Sequence, residues 1–293
     1  MYNPFKEKIE DRESDIQLIS AILNGSRKDL ESLILRHQAW IYNIALKMVL
    51  DPGDAEDVTQ EILIKLITKL SLFDPEKASF RTWLYRIVVN HVINMKKRTY
   101  ETIFRSFEES ALRVAEIPDQ SIAGLPEKGV MLEELAIKCW MAVLLCLNRK
   151  HRLVFILGGI FEVTDTVGSE MMNTSKSNFR KMLSRARTKI DHFMQQNCGL
   201  MDPSNPCQCN RKLKGFIKSG FVQPDRMAFA GNTGLKIKDI IHENSDHDDA
   251  ALVLKSIQQF QYHPFYDAPE FKTWLNTLLT TKDLSQLISD QQH

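Results

Sequence analysis

The sequence predicts an all-α protein with two compact helical domains, a flexible acidic linker between them and a C-terminal extension. Apolar residues recur at intervals of three and four through residues 15–98 and again through 131–195, the period of helices buried on one face. Neither stretch shows the alternation of a half-buried strand. The linker is expected at 99–130 and the extension at 196–293.

Composition indicates a folded globular protein. The 293 residues are 43% hydrophobic and 26% charged. No apolar run approaches the roughly 20 residues that cross a bilayer, and the first residues lack the apolar core of a signal peptide. We therefore expect a cytoplasmic protein whose five cysteines stay reduced, so that their chemistry is metal binding or redox sensing rather than structural disulfides.

The net charge is only +1, but the charged residues are unevenly distributed. Residues 51–61 hold five acids and no base, whereas residues 81–98 hold five bases and no acid. Residues 176–189 hold six bases and again no acid. The small net charge therefore conceals one acidic face and two basic patches. Basic patches of this kind are typical of nucleic-acid binding.

The first domain divides into successive helices. Residues 51–54 (DPGD) interrupt the helical period and offer an N-cap to the helix that follows. That helix ends at residues 73–75 (FDP), and another begins near Ser79 and ends in the basic cluster at 96–98.

The linker is punctuated by residues that break helices. Its composition is acidic, because eight acids oppose three bases between Tyr100 and Glu134, and this favours a polar, mobile segment. The helix-breaking residues are Pro118, Gly124, Pro126 and Gly129.

Residues 153–183 have the pattern of a helix-turn-helix. A supporting helix, a short helix and a turn at 173–174 precede a long helix over 176–193. The asparagine of the turn tolerates the left-handed conformation that such a turn needs, and Thr174 or Ser175 supplies the N-cap of the long helix.

The long helix has an apolar face and a basic face. Phe179, Leu183, Ala186 and Ile190 share the apolar side. In a helix-turn-helix the N-terminal end of this helix contacts the edges of the DNA bases in the major groove. Basic side chains further along the helix contact phosphates. The alternative is a basic helix that only faces solvent. The predicted DNA contacts on this helix are Lys176, Ser177, Arg180, Lys181 and Arg185.

Three cysteines, Cys198, Cys207 and Cys209, lie in a proline-rich, polar stretch of the extension. With His192 or a carboxylate as a fourth ligand they could hold a zinc ion, although their spacing is not that of a standard zinc finger. A redox-sensing thiol group and a plain structural loop are the alternatives. The cysteines expected to be buried by packing on an apolar helix are Cys139 and Cys146.

Beyond residue 220 the sequence carries little periodicity and predicts only weak helices. The run 242–249 holds two histidines among four acids, a composition that metal sites share. Runs of this kind are more often solvated loops, and we interpret this one as a loop.

Three segments of the first domain carry a family pattern: residues 54–61 (DAEDVTQE), 73–80 (FDPEKASF) and 81–90 (RTWLYRIVVN). They resemble the extracytoplasmic-function (group 4) sigma factors of the sigma-70 family, in the same order and at the same distance from a helix-turn-helix. The resemblance covers about residues 15–195. It implies a sigma factor that directs promoter-specific transcription initiation, with the first domain as region 2 and the second as region 4.

The resemblance also implies the protein partners. In the family, the acidic helix docks on a coiled coil of the largest subunit of core RNA polymerase, and an anti-sigma factor is a further partner. The alternative is that these acids only stabilise the start of their helix through its macrodipole. The expected polymerase contacts are Asp54, Asp57, Gln60 and Glu61.

Promoter recognition is implied for both domains, at the minus-ten element for region 2 and the minus-thirty-five element for region 4. The loop 74–80 resembles the family's pocket for a base flipped out of the minus-ten element. Asn90 can read a base edge and Trp83 can stack on opening DNA, although Trp83 also fits a core anchor and Asn90 a merely exposed residue. The expected DNA contacts are Lys77, Ser79, Trp83, Asn90, Lys96, Lys97 and Arg98.

One position departs from the family pattern. Gly168 lies in the short helix where an apolar residue is usual, and it lowers helix propensity by roughly 1 kcal/mol. This glycine either loosens the helix or permits a close approach.

Two other classes of function compete with this interpretation. A stand-alone helix-turn-helix regulator explains residues 176–189 but leaves residues 54–90 without a role. A thiol oxidoreductase would use Cys207 and Cys209, but the sequence offers no neighbour that would lower a cysteine pKa. We expect no enzymatic activity and no required cofactor, with zinc in the extension as the one candidate.

Overall fold

The computed structural model describes residues 12–230, 266–281 and 283–289. Within them the regular elements are helices, apart from one isolated β-bridge, and the predicted all-α class is confirmed. The helices are α1 (Arg12–Leu23), α2 (Arg27–Val49), α3 (Pro52–Lys69), α4 (Phe80–Asn94), α5 (Thr99–Ile103), α6 (Phe107–Glu116), α7 (Lys128–Leu145), α8 (Arg149–Phe155), α9 (Asp165–Met171), α10 (Lys176–Asn197), α11 (Cys209–Lys218), α12 (Phe271–Thr281) and α13 (Leu284–Ser289). Among these helices, none has the length and apolar character of a membrane span.

The chain forms two compact units, each assembled from separate stretches. The first comprises Met1–Lys96, Ile156–Met182 and Asp267–His293, and the second comprises Lys97–Phe155 and Leu183–Tyr266. Helix α10 therefore begins in the first unit and ends in the second. The division into two functional domains stays a prediction, because these units are defined by packing and not by function.

Local capping fixes the ends of the central helices of the first unit. The side chain of Ser26 accepts a hydrogen bond from the backbone N–H of Asp29 and starts α2. The predicted N-cap Asp51 starts α3, since its Oδ1 accepts the N–H of Asp54 at 3.0 Å. Between the two helices, Leu50 adopts the left-handed conformation (φ 72°), which turns the chain.

An aromatic cluster fills the core between α2 and α4. Trp40 is fully buried, and its indole Nε1 donates to Nδ1 of His37 at 3.1 Å. Its ring meets the ring of Tyr85 edge-on, with 5.2 Å between centroids. Helix α4 begins after Ser79, whose Oγ accepts the N–H of Thr82 at 3.2 Å.

The turn of the helix-turn-helix has the predicted conformation. Asn173 is left-handed, with φ 47°. The hydroxyl of Thr164 caps α9, and the hydroxyl of Ser175 accepts the N–H of Asn178 at 3.2 Å at the start of α10. Of the two N-cap candidates for α10, the structure therefore selects Ser175.

The end of the C-terminal extension packs on the first unit. Helix α12 lies against α2, and α13 lies against α3. Two ion pairs accompany this packing, Lys272–Glu31 at 2.7 Å and Asp283–Arg27 at 3.1 Å. The apolar residues that the two helices bury are Phe271, Leu275, Leu279, Leu284 and Leu287. Sequence periodicity alone did not predict this association.

The predicted flexible linker requires a correction. Its first half forms α5 and α6 of the second unit, because Glu101 is buried and held by two arginines. The carboxylate accepts from Arg149 at 2.6 Å and from Arg152 at 2.8 Å. These arginines hold the pKa of Glu101 below its ordinary value, against the opposing effect of burial. The acidic composition of the linker predicted a mobile segment, but the buried ion pairs of Glu101 hold its first half in the second unit.

A second buried glutamate attaches the extension to α7 within the second unit. The carboxylate of Glu134 accepts hydrogen bonds from the backbone N–H groups of Ala228, Phe229 and Ala230, at 3.0, 2.8 and 2.8 Å. Charge-assisted bonds of this kind are about twice as strong as neutral ones. The extension up to residue 230 is therefore built into the second unit.

Candidate nucleic-acid and protein interface

The predicted acidic face lies on the outer side of α3. Val58 and Ile62 are fully buried, which fixes the rotation of the helix. On the opposite side, Asp57 and Glu61 are exposed. The two other predicted contacts, Asp54 and Gln60, are half-buried. The four side chains therefore share the surface of one helix, as the sequence predicted.

Glu61 is also tied to α4 through a buried histidine that the sequence did not single out. Nε2 of His91 lies 3.1 Å from a carboxylate oxygen of Glu61, and Nζ of Lys65 lies 2.8 Å from Nδ1 of the same ring. A lysine only donates, so Nδ1 of His91 is the acceptor in its contact with Lys65. Glu61 thus neighbours a buried group of α4, and both it and Asp57 remain exposed on the face.

The loop between α3 and α4 is shaped by its own charges. Oδ1 of Asp74 accepts the N–H of Glu76 at 3.0 Å, and Nζ of Lys77 lies 2.8 Å from Oδ2 of Asp74. The lysine lowers the pKa of Asp74. Lys77 is highly exposed, whereas Ser79 is half-buried and uses its hydroxyl as the cap of α4. Of the two predicted DNA contacts in this loop, Lys77 is the more accessible.

The placement of Trp83 is compatible with both roles that the sequence left open. Its ring packs against Phe73 and Phe80, with centroid distances of 5.6 and 5.7 Å. The side chain is nevertheless only half-buried, so one part of the ring anchors the loop and another part reaches the surface. Asn90, two turns further along α4, is exposed.

The helix-turn-helix lies beside Asn90 within the first unit. Helix α4 packs against α9, and a pocket opens where they meet. The residues that line this pocket are Arg86, Val89, Asn90, Met171, Met172 and Asn173. The predicted base-reading position of α4 therefore lies beside the turn that precedes α10.

The basic cluster after α4 is accessible. Lys96 and Lys97 are exposed, and Arg98 is half-buried at the start of α5. The backbone N–H of Arg98 donates to Glu101 at 3.1 Å.

The predicted DNA-contacting face of α10 is exposed. Phe179, Ala186 and Ile190 are buried, and Leu183 is half-buried, as the periodicity predicted. A guanidinium nitrogen of Arg180 lies 3.1 Å from a carboxylate oxygen of Asp165 on α9, an exposed pair that adds little stability. The exposed residues on this face are Lys176, Ser177, Arg180, Lys181 and Arg185.

The structure brings the three predicted cysteines together but separates them from the predicted histidine. Cys198, Cys207 and Cys209 line one cavity of the second unit. His192 is exposed, and its Nε2 lies 3.1 Å from the side-chain amide of Gln196. The ligand set that includes His192 is therefore wrong, because this ring faces solvent. In the described residues, no three His, Cys, Asp or Glu side chains are placed to hold a metal ion as they stand.

Sequence reasoning missed two members of this cavity. Cys139 and Cys146 also line it, although both were expected only to fill space in an apolar helix. The histidine-containing run 242–249 lies outside the described residues.

Comparisons with known proteins identify a family model and several relatives that the chain resembles. A family model described as sigma-70 region 2 matches residues 33–101. The chain is 34% identical to the ECF RNA polymerase sigma-E factor of Escherichia coli K12 over 190 residues, which cover 62% of this chain and 95% of that protein. It is 25% identical to the ECF RNA polymerase sigma factor SigW of Bacillus subtilis over 174 residues, 59% of this chain and 92% of that protein.

A third similarity is shorter. The chain is 36% identical to the RNA polymerase sigma-H factor of Pseudomonas aeruginosa over 83 residues, which cover 28% of this chain and 42% of that protein. The chain thus spans less than half the length of this relative. The two longer matches leave more than a third of the chain unmatched.

Proposed function

The chain belongs to the extracytoplasmic-function group of sigma factors, and we propose that it binds core RNA polymerase and directs transcription initiation at specific promoters. The observation that carries the proposal is the presence of two oppositely charged surfaces on one chain, an exposed acidic face on α3 and an exposed basic face on α10. Either surface alone is common on soluble proteins. Together, in the family's order, they fit a protein that binds polymerase and DNA at once.

The acidic face is proposed to dock on the largest subunit of the polymerase. Complementary charge speeds encounter and fixes register, and this role suits side chains at the surface rather than in the core. The contacts are Asp54, Asp57, Gln60 and Glu61. Among them, Asp57 and Glu61 are exposed, and Glu61 also neighbours His91.

Promoter reading is proposed to divide between residues 15–98 and residues 131–195. The first segment would open and read the minus-ten element through the loop before α4, Trp83 and Asn90. The second would read the minus-thirty-five element in the duplex through the N-terminal half of α10. The basic residues 96–98 would contact phosphates, which adds affinity without sequence preference.

This division requires a rearrangement within the first unit. Two promoter elements lie on separate stretches of DNA, whereas Asn90 and Asn173 line the same pocket. The contact between α4 and α9 would therefore have to open before both surfaces can engage DNA. Polymerase binding through α3 is proposed to supply that opening.

The proposed activity is binding rather than catalysis, since the polymerase supplies the chemistry of transcription. Promoter recognition needs no cofactor in this proposal. The site of action would be the cytoplasm, where core polymerase is found.

Run-off transcription with purified core polymerase on a genomic promoter library tests the proposal. The expected result is a set of transcripts that depend on the added protein and share two upstream sequence elements. A stand-alone regulator would bind duplex DNA without polymerase, would not copurify with the core enzyme and would initiate no transcript. That combination of results would replace the sigma-factor proposal with the regulator.

A further inference from the structure

A basic surface of the second unit extends beyond the predicted DNA contacts. Arg185, the last of those contacts on α10, and Lys189 are both exposed. They lie one helical turn apart, so their side chains share one side of the helix. Two further basic residues, the exposed Lys150 and the half-buried His151, lie at the start of α8. Neither of these two was among the residues that the sequence singled out.

Helix α6 holds the start of α8 beside the second half of α10. The ring of Phe107 on α6 packs against the ring of Phe193 on α10, with 5.3 Å between the centroids. The hydroxyl of Ser110, also on α6, lies 3.2 Å from Sγ of Cys146 at the end of α7. Cys146 and Phe193 also line the same cavity. Because α8 begins shortly after this end of α7, its first residues lie close to the turn of α10 that carries Lys189.

The ring of His151 is oriented by Asn148. Oδ1 of Asn148 accepts the backbone N–H of His151 at 3.0 Å and lies 2.9 Å from Nδ1 of its ring. An amide oxygen only accepts hydrogen bonds, so Nδ1 carries the hydrogen of the neutral ring. Nε2 is then the nitrogen that takes up a proton when the ring becomes charged.

This ring and the two basic side chains of α10 act on one another. Partial burial, and then the positive charges of Lys189 and Arg185, hold the pKa of His151 below its ordinary value. The three groups are therefore close enough to repel one another when all of them are charged. An anion placed among them would be attracted by all three and would offset this repulsion.

Other charged groups near this surface have partners of their own. The guanidinium of Arg149 donates to the buried carboxylate of Glu101. The pKa of Glu108 on α6 is lowered by its own backbone N–H, by the hydroxyl of Ser106 and, more weakly, by the charge of Lys189. Glu108 is exposed, so its attraction for Lys189 is weak and screened by salt.

We propose that Arg185, Lys189 and His151 bind one phosphate group of the DNA backbone, with the protonated ring of His151 donating from Nε2. The inference rests on the proposed function, which makes DNA the ligand. The site continues the predicted DNA-contacting face from Arg185 towards the C-terminal end of α10, where phosphate contacts are expected. A guanidinium can bind two phosphate oxygens at once, and the lysine supplies a point charge beside it.

Binding of DNA at this site takes up a proton from solvent. In the free protein the neighbouring cations disfavour the charged ring, whereas a phosphate beside the ring favours it. The DNA-bound protein therefore binds more protons than the free protein. By linkage, the affinity for DNA rises as the pH falls through the range in which the ring titrates. No covalent bond forms or breaks.

Binding of the full chain to a duplex that lacks promoter elements tests the site, because phosphate contacts need no particular sequence. From pH 8 to pH 6 the affinity of the wild type should rise by up to about tenfold, which corresponds to a rise of about one unit in the pKa of His151. His151→Gln should lose this rise, and His151→Lys should bind tightly at both pH values. Lys218→Gln, which removes an exposed lysine from α11, is the control and should keep the pH dependence of the wild type. Equal pH dependence in the wild type and in His151→Gln would overturn the proposal.

Proton NMR of the full chain follows the ring directly. The resonance of His151 is identified by its absence in His151→Gln, and its pKa should rise when the duplex is added. An unchanged pKa, or a rise with inorganic phosphate but not with DNA, would overturn the proposal. Polymerase-dependent transcripts from a protein whose His151 does not respond to DNA would remove this site and leave the proposed function intact. A response of His151 to DNA without any transcript would support the phosphate site and contradict the proposed function.

Discussion

The ring of Phe179 occupies the space into which a side chain at Gly168 would project. A Cβ built on Gly168 would lie 2.4 Å from Cζ of Phe179, well inside contact distance. Both residues belong to the first unit, and Phe179 is almost fully buried there. Gly168 therefore permits the close approach of α9 and α10, and the departure from the family pattern has a packing reason.

We expect Gly168→Ala to destabilise the helix-turn-helix, although alanine favours helices. The added methyl forces Phe179 to move, and overpacking of this kind costs about 1–3 kcal/mol. Urea unfolding of the full chain measures the loss. Glu170→Ala, on the exposed side of the same helix, is the control and should change stability little. Equal stabilities of Gly168→Ala and the wild type would show that α9 can shift freely.

Charge reversal at Asp57 tests the docking face without disturbing the core. The side chain is exposed, so Asp57→Lys should leave the unfolding free energy nearly unchanged and weaken binding to core polymerase. The measurement is the affinity of purified protein for core enzyme at two salt concentrations, because exposed charges are screened. Glu116→Lys, the same charge change on an exposed position of α6, should bind as the wild type does. Equal affinities of the two variants would exclude Asp57 from the interface.

Glu61→Lys is a less specific test of the same face than Asp57→Lys. Its carboxylate lies 3.1 Å from the buried His91, so a lysine there would meet Lys65 and the histidine. A loss of polymerase binding in that variant would not distinguish a docking defect from a folding defect.

Sequence reasoning succeeded where a local rule governs the chain. The N-cap at Asp51 and the left-handed Asn173 depend on residues within a few positions, and the structure has both. It failed where residues distant in sequence meet. Cys139 and Cys198 are separated by most of the second domain but line one cavity. Glu101 is indistinguishable in the sequence from the other acids of the linker, because its partners Arg149 and Arg152 lie about 50 residues further along the chain.

The association of the C-terminal helices with the first unit was missed for the same reason. The buried face of α12 is short, and its partner α2 lies more than 200 residues earlier in the chain. The exposed faces of α3 and α10 were predicted, because helical periodicity identifies the buried side and leaves the other for partners.

Promoter variants separate the two proposed reading surfaces. Lys181→Ala should weaken binding at the minus-thirty-five element, by about 1–3 kcal/mol if the lysine contacts a base. Asn90→Ala should instead alter preference within the minus-ten element. Transcription from promoter libraries randomised at one element at a time measures both effects. Arg113→Ala, which removes an exposed basic side chain from α6, is the control. The division of labour fails if both variants change the preference at the same element.

A buried lysine gives the first unit a pH-dependent stability. Lys47 is fully buried on α2, 5.2 Å from the ring centroid of Phe161, and burial lowers its pKa from 10.5 to about 7. In the unfolded chain this lysine is protonated up to its ordinary pKa, whereas in the folded chain it loses its proton above pH 7. The unfolded state therefore binds more protons between these values, and stability rises with pH across that window.

Lys47→Met removes this effect, because methionine fills similar space without a charge. From pH 7 to pH 9 the wild type should gain about 2 kcal/mol relative to the variant, and at pH 7 the variant should be the more stable protein. Urea unfolding at both pH values measures the difference between the two proteins, which cancels the groups that titrate in both. Lys150→Met replaces an exposed lysine and should follow the wild type at both pH values. Parallel stability curves for Lys47→Met and the wild type would mean that Lys47 keeps its ordinary pKa in the folded chain.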